Sequence, residues 1–350
     1  DDVAARYDQP GNAPEPDPEK LGFRPGAPGQ ALNVEPALEL IDVALRSPRG
    51  EDRVINLPLV EQTQVNPSFG TLRELLVEDT KLWGFSGVIS LYLADLQNGD
   101  ELAFTLRGAD VVTGPVAFSA MSTIKIPVAL AYYLKSDTAP TEGIQLLLQR
   151  SLDESQNRDT DQLLRLIGDG DGYTGTRQMV AMLKTLGLEN TYLSGLLDVQ
   201  GAVLLPLATP ANGRADINLN PDPYNQTTAV EMGALNVMIY QCSQAKGPLL
   251  LAFNGKITPA ECQELLQMMT ENAVGPIFIS SGSGGAVVAH KHGWDSTPLT
   301  NAGDTALVFT PEGDYALTIF LHQPETILFD DANRIIGRLA QAIYNFYAQK

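Results

Sequence analysis

The chain is short of the residues that most alternative chemistries would need. It has three histidines and two cysteines in 350 residues. His290 and His292 share a strand face, but no third ligand accompanies them, so no metal centre is expected. Neither Cys242 nor Cys262 has a histidine near it in sequence, which argues against a cysteine nucleophile. Basic residues are scarce, 23 Lys and Arg against 42 Asp and Glu, for a net charge of −19. So acidic a surface repels phosphate backbones, and nucleic acid is not an expected partner. No apolar run reaches the ~20 residues of a membrane span. No internal repeat and no signal peptide are visible. The chain opens abruptly on Asp1-Asp2-Val3, and a removed leader or anchor is the expectation. What remains is a globular composition, 44% hydrophobic and 19% charged, long enough for one large domain or two ordinary ones.

Ser122-Thr123-Ile124-Lys125 opens a long apolar run, Ile126 to Leu134. In a helix, Ser122 would sit at the N-terminus with Lys125 one turn on, on the same face. A serine hydroxyl is a poor nucleophile until a base takes its proton, and a partly desolvated lysine one turn away can serve. The spacing alone is weak. Ser243-Gln244-Ala245-Lys246 has it too, but that segment runs into Gly247-Pro248, which end a helix rather than start one. Two further motifs follow in order: Ser155-Gln156-Asn157 before a second apolar-periodic run, and Lys291-His292-Gly293 in a strand beginning at Val287.

The order Ser-x-x-Lys, Ser-x-Asn, Lys-x-Gly resembles the serine β-lactamases and penicillin-binding proteins, class A above all. The segment Ala120 to Pro127 is similar to that family's nucleophile segment. Gln226-Thr227-Thr228-Ala229-Val230-Glu231-Met232 resembles its threonine-rich approach to a helix. The resemblance covers roughly residues 71–350. Lys20-Leu21-Gly22 also fits Lys-x-Gly but lies out of order in a Pro-rich leader.

Residues 1 to about 30 are rich in Pro, Gly and Asp and read as linker-like or draped on the body. A short strand, an amphipathic helix from about Val34 and a strand over Arg53–Val60 follow. Residues 1–70 therefore read as an arm with a small α+β module, which resembles modules found beside cell-wall enzymes. Residues 71–350 read as the catalytic domain. Strands are predicted at Val88–Ala94, Glu101–Leu106, Val287–His292, Ala306–Phe309 and Tyr315–Leu321, with Asn98-Gly99 as a hairpin turn. A final helix, Asp331–Tyr347, puts Ile335, Ile336, Leu339, Ile343 and Phe346 on one face to cover them. The fold class is α/β (α+β): a five-stranded antiparallel sheet flanked by helices, with an all-α subdomain over residues 122 to about 275 inserted between its strands.

The resemblance implies the site. Ser122 would be the nucleophile and Lys125 its base or part of a relay. Ser155 would pass a proton to the leaving nitrogen, and Asn157 would bind the substrate amide and orient Lys125. Lys291 would hold a substrate carboxylate, Gly293 would let the substrate backbone approach, and the amides of Ser122 and Trp294 would form an oxyanion hole. His292 stands where the family has a threonine or serine that bonds the carboxylate. A gapless match puts Leu197 where class A enzymes carry the glutamate that activates water, with Asp198 beside it as the candidate substitute. No arginine lies between Lys291 and the final helix, so Arg334 and Arg338 are the only nearby cations that could assist. Cys242 and Cys262 fall in consecutive helices, the second opened by Thr258-Pro259-Ala260-Glu261. They read as a disulfide suited to export, or as two buried thiols.

The leading expectation is a monomeric, exported serine hydrolase of the periplasm or cell surface, without a cofactor. It would be acylated at Ser122 by a β-lactam or a peptidoglycan-like amide or ester and released, slowly, by water. A D,D-peptidase or esterase of the same superfamily is the alternative, and a non-catalytic binding protein with the same fold is the second.

Overall fold

The computed structural model describes residues 3–198, 206–271, 273–295 and 298–349. The chain divides into two units, residues 1–79 with 345–350, and residues 80–344.

In the first unit the Pro-rich start is not a bare linker. Glu15–Asp17 pairs antiparallel with Gly22–Arg24, and Gln30–Leu32 pairs with Leu59–Glu61. The helix Val34–Arg46 connects the second pair. Of the strand expected over Arg53–Val60 only Leu59 and Val60 pair, within Leu59–Glu61, and residues 50–53 make a tight helical turn. Leu21 and Phe23 are buried. The rings of Phe23 and Phe69 meet Phe346 at 6.0 and 5.5 Å, and Asn345 Nδ2 donates to the Leu21 carbonyl at 2.7 Å. A segment with little apolar content is thus ordered by its few large side chains, packed against residues from the far end of the sequence.

The second unit is built on an antiparallel sheet of six strands: β1 (Val88–Asp95), β2 (Glu101–Arg107), β3 (Asp110–Val112), β4 (Val287–Trp294), β5 (Asn301–Phe309) and β6 (Tyr315–His322). Their spatial order is β4-β5-β6-β1-β2-β3. Five strands were expected; the sixth, β3, is three residues long, too short for alternation to register. Strands β1 and β6 are buried along their whole length, as their near-continuous apolar sequences require of central strands. The hairpin at Asn98-Gly99 closes as its residues dictate. Gly99 takes φ +80°, and the Asp95 carboxylate accepts from the amides of Gln97 and Asn98 at 2.9 and 3.2 Å.

Between β3 and β4 lies the helical insert, with α1 (Lys125–Lys135), α2 (Asn157–Ile167), α3 (Ala229–Ser243) and α4 (Pro259–Thr270). Helix α3 lies flat on the sheet. A Cβ on Gly233 would come within 2.1 Å of the Tyr92 ring, and Asn236 Nδ2 donates to Thr305 Oγ1 at 2.7 Å. Cys242 of α3 and Cys262 of α4 are disulfide-bonded, with Cα atoms 5.9 Å apart. Thr258 and Glu261 form the capping box expected at the start of α4. A small second sheet orders Phe118–Ser119, Asn225–Thr227 and Tyr192–Leu193 side by side and delivers the chain to Ser122. Among the described residues no helix is long and apolar enough to cross a membrane.

Candidate active site

Ser122 lies in a tight helical turn, Met121–Ile124, that runs directly into α1. Pro127 is tolerated there because an amide in the first turn has no intrahelical partner to lose. The turn is pinned from outside. Ala120 N donates to the Asn225 carbonyl at 3.0 Å, and Asn225 Nδ2 donates to the Met121 carbonyl at 2.9 Å. Met121, immediately before the serine, takes φ +53°, a left-handed conformation that costs a side-chain-bearing residue about 1–2 kcal/mol.

Strand β4 presses against this turn. A Cβ on Gly293 would stand 2.6 Å from Ser122 N and 2.8 Å from Met121 Cβ, so only glycine permits the approach. Side chains alternate along a strand. Lys291 therefore shares the face that Gly293 turns to the nucleophile, whereas His290, His292 and Trp294 take the other.

Lys125 is wholly buried. Its Nζ donates to the Ser155 carbonyl at 2.5 Å, Ser155 Oγ at 3.1 Å and Asn157 Oδ1 at 2.8 Å. Ser155 is held at φ +59°, just before α2 begins at Asn157. Burial, and then the charge of Lys291, lower the Lys125 ammonium to a pKa of about 7, while Asp161 opposes the shift. At neutral pH much of the amine is therefore free to accept a proton. Lys291 is equally enclosed and donates to the His292 carbonyl at 3.1 Å. Burial lowers it to about 8, against the pull of Asp304 and Asp153.

His292 does not present a charged donor. Its ring is buried, stacks on Trp294 at 5.2 Å, and has no hydrogen-bond partner for either nitrogen among the described residues. Burial, then the charges of Lys291, His290 and Lys125, push it down to about 2. His290 Nδ1 instead meets the buried Asp304 carboxylate at 2.9 Å, and that carboxylate also accepts from Ile279 N at 3.1 Å. Arg334 and Arg338, the cations expected to reach the site, lie over the Trp83 ring at 5.5 and 5.1 Å. Among the described residues no group of three or more His, Cys, Asp or Glu is placed to hold a metal ion.

Asp198 is exposed, and its backbone amide is hydrogen-bonded. Asp161 Oδ1 accepts from Leu197 N at 2.8 Å and Oδ2 from Asp198 N at 2.9 Å. Asp161 is thus a site residue that sequence reasoning missed. It lies four positions after Asn157, on the same face of α2, and that spacing was its only signal. Its carboxyl pKa is raised by burial, against the two amide bonds. Asn225 was also missed, within a strand of three residues that has no periodicity to read. The Ser243–Lys246 decoy lies where α3 ends, with Ser243 Oγ donating to the Tyr240 carbonyl at 2.7 Å.

A model of the beta-lactamase enzyme family matches residues 143–347. Among solved structures, a TLA-1 extended-spectrum β-lactamase variant is similar at a TM-score of 0.58 and 17% identity, over 79% of this chain and 99% of that one. A β-lactamase from Chitinophaga pinensis gives 0.56 and 19%, over 78% and 98%. The protein PBP-A gives 0.54 and 18%, over 79% and 96%. At such identities these structures speak for the fold. No curated protein matches the chain by sequence.

Proposed function

The chain belongs to the beta-lactamase enzyme family, and we propose that it is an exported, monomeric active-site serine hydrolase acting on small amides or esters. Neutral Lys125 takes the proton of the Ser122 hydroxyl as Oγ bonds to the substrate carbonyl carbon. The carbonyl oxygen becomes an oxyanion near the Ser122 amide. As it collapses, the bond to the leaving nitrogen or oxygen breaks, and the proton passes from Lys125 through the Ser155 hydroxyl to that atom. Water then attacks the acyl-enzyme and gives a proton to Lys125; as the tetrahedral intermediate collapses the bond to Ser122 Oγ breaks, and Lys125 returns that proton to Oγ. Asn157 orients Lys125 throughout.

The observation that carries this reading is the Lys125 amine. It is fully buried, lowered to a pKa of about 7, and hydrogen-bonded to Ser155 and Asn157. Buried titratable groups lowered toward neutrality by burial and a like charge cluster at functional sites. Leu197 at the family's glutamate position, with Asp198 turned to solvent, favours slow deacylation. That supports a second reading, a D,D-peptidase or esterase rather than a fast β-lactamase.

The test is incubation with a fluorescent penicillin, with the adduct mapped by mass spectrometry, beside nitrocefin turnover. A long-lived adduct on Ser122 with little turnover is expected, and Ser122→Ala should abolish it. Labelling that persists in Ser122→Ala would refute the nucleophile. No adduct with any acylating probe would leave the fold as a binding protein.

A further inference from the structure

The peptide that joins Met121 to Ser122 carries a carbonyl at one end and the N–H beside the nucleophile at the other. A peptide group is planar and trans, so these two point in opposite directions. Asn225 Nδ2 donates to the Met121 carbonyl at 2.9 Å, which turns the Ser122 N–H away from Asn225. Among the described residues Ser122 N donates to no protein group. Gly293 comes up to the same nitrogen and, having no Cβ, leaves it open. Asn225 is itself held rigidly, paired with Leu193 in the small sheet. Its carbonyl accepts from Ala120 N at 3.0 Å. Backbone and side chain of one residue thus fix the two positions that precede the nucleophile.

This arrangement does not favour stability. Asn225 is buried, and its Oδ1 has no hydrogen-bond partner among the described residues. A buried acceptor left unmet costs about 1–3 kcal/mol. Met121 at φ +53° adds about 1–2 kcal/mol, while one neutral hydrogen bond offsets only about 1 kcal/mol. Strain held in this way collects where geometry serves function. Turning the side-chain amide over is no alternative, because Oδ1 would then face the Met121 carbonyl oxygen with no proton between them. Donation to that carbonyl also polarises the peptide, which makes its N–H the stronger donor.

Building on the serine-hydrolase reading, we propose that Asn225 is a positioning residue of the reaction: by holding the Met121 carbonyl it aims the Ser122 N–H at the oxyanion formed on the substrate. Without that bond Met121 relaxes toward negative φ, and the peptide turns with it.

The pair Met-Ser occurs once in the sequence. Labelling methionine with carbonyl 13C and serine with 15N therefore gives one nuclear magnetic resonance peak, from this peptide alone. In Asn225→Leu, which occupies the same place without a donor, that peak is expected to move in both dimensions. Acylation of Ser122 by a fluorescent penicillin should slow about a hundredfold, as when an oxyanion donor is lost. Binding before acylation should stay within about threefold, and the pH midpoint of acylation should not move, since Lys125 is untouched. The acyl-ester carbonyl should absorb at higher wavenumber in the infrared. A merely structural defect would leave that frequency where it is. Asn225→Ala gives the same readouts if Asn225→Leu does not fold. A peak that stays in place, acylation within about threefold of the wild type, or an unmoved ester frequency overturns the proposal. If no probe acylates the wild type, the hydrolase reading fails by itself. The labelled peak needs no substrate and then decides: movement sustains the assignment of Asn225 to this peptide, and an unmoved peak overturns it.

Discussion

If Lys125 is the base, acylation of Ser122 must follow its titration. An ordinary lysine, at 10.5, is neutral in about three molecules per ten thousand at pH 7, whereas at about 7 roughly half are neutral. Burial thus supplies about a thousandfold more free amine. Acylation measured by stopped flow from pH 5 to 9 should rise about tenfold per pH unit below 7 and level off above it. Two substitutions fix the sign. Lys291 carries the positive charge that helps to lower Lys125, so Lys291→Met should move the midpoint upward and slow the reaction at pH 7. Asp161 opposes the lowering, so Asp161→Asn should move the midpoint downward. A midpoint above pH 9, or shifts in the same direction for both variants, would refute Lys125 as the base.

The same burial weakens the fold: with the folded pKa of Lys125 below its ordinary 10.5, the unfolded chain holds the extra proton between about pH 7 and 10.5, and stability from this group rises with pH across that window. Lys125→Met should therefore lose acylation yet unfold at higher urea at pH 7, the gain shrinking toward pH 10; equal midpoints at pH 7 would contradict this. Gly293→Ala forces a methyl into the 2.6 Å beside Ser122 N and should cut acylation about a hundredfold while thermal unfolding still reports a folded protein. Replacing Cys242 and Cys262 by alanine opens a loop of 20 residues and should cost about 3 kcal/mol in chemical denaturation; a loss below about 1 kcal/mol would mean that the unfolded chain gains little freedom.

The sheet and its helical cover were legible because β1, β4 and β6 are long and patterned, and because Asn98-Gly99 marks its own turn; of β5 only Ala306–Phe309 was read, since its first half, Asn301 to Thr305, is polar and carries a glycine. The three motifs were legible because spacing on a helix or strand is a local property. What escaped depends on pairing at a distance. Asp161 looks like any polar residue on an amphipathic helix until Leu197 and Asp198 fold back onto it. Strand β3 and the pieces around Ser119, Tyr192 and Asn225 are too short for a period to show. At residue 292 the sequence showed only a histidine in place of a hydroxyl; the burial that keeps its ring neutral comes partly from Phe278, fourteen positions away in the chain. The first unit's order likewise comes from Phe23 finding Phe346.

The central strands β1 and β6 pair Tyr92 with Thr318, so the middle of the sheet is stitched from segments made early and late in synthesis. While the chain is still on the ribosome, β1 has only its hairpin partner, and its other edge stays open until β6 emerges. Closing so distant a contact is entropically slow. Ser122 is translated long before Lys291, so no nascent fragment that stops short of the last strands carries an assembled pocket. The pocket would be assembled only after β4 to β6 have emerged, with an aggregation-prone strand edge exposed until then.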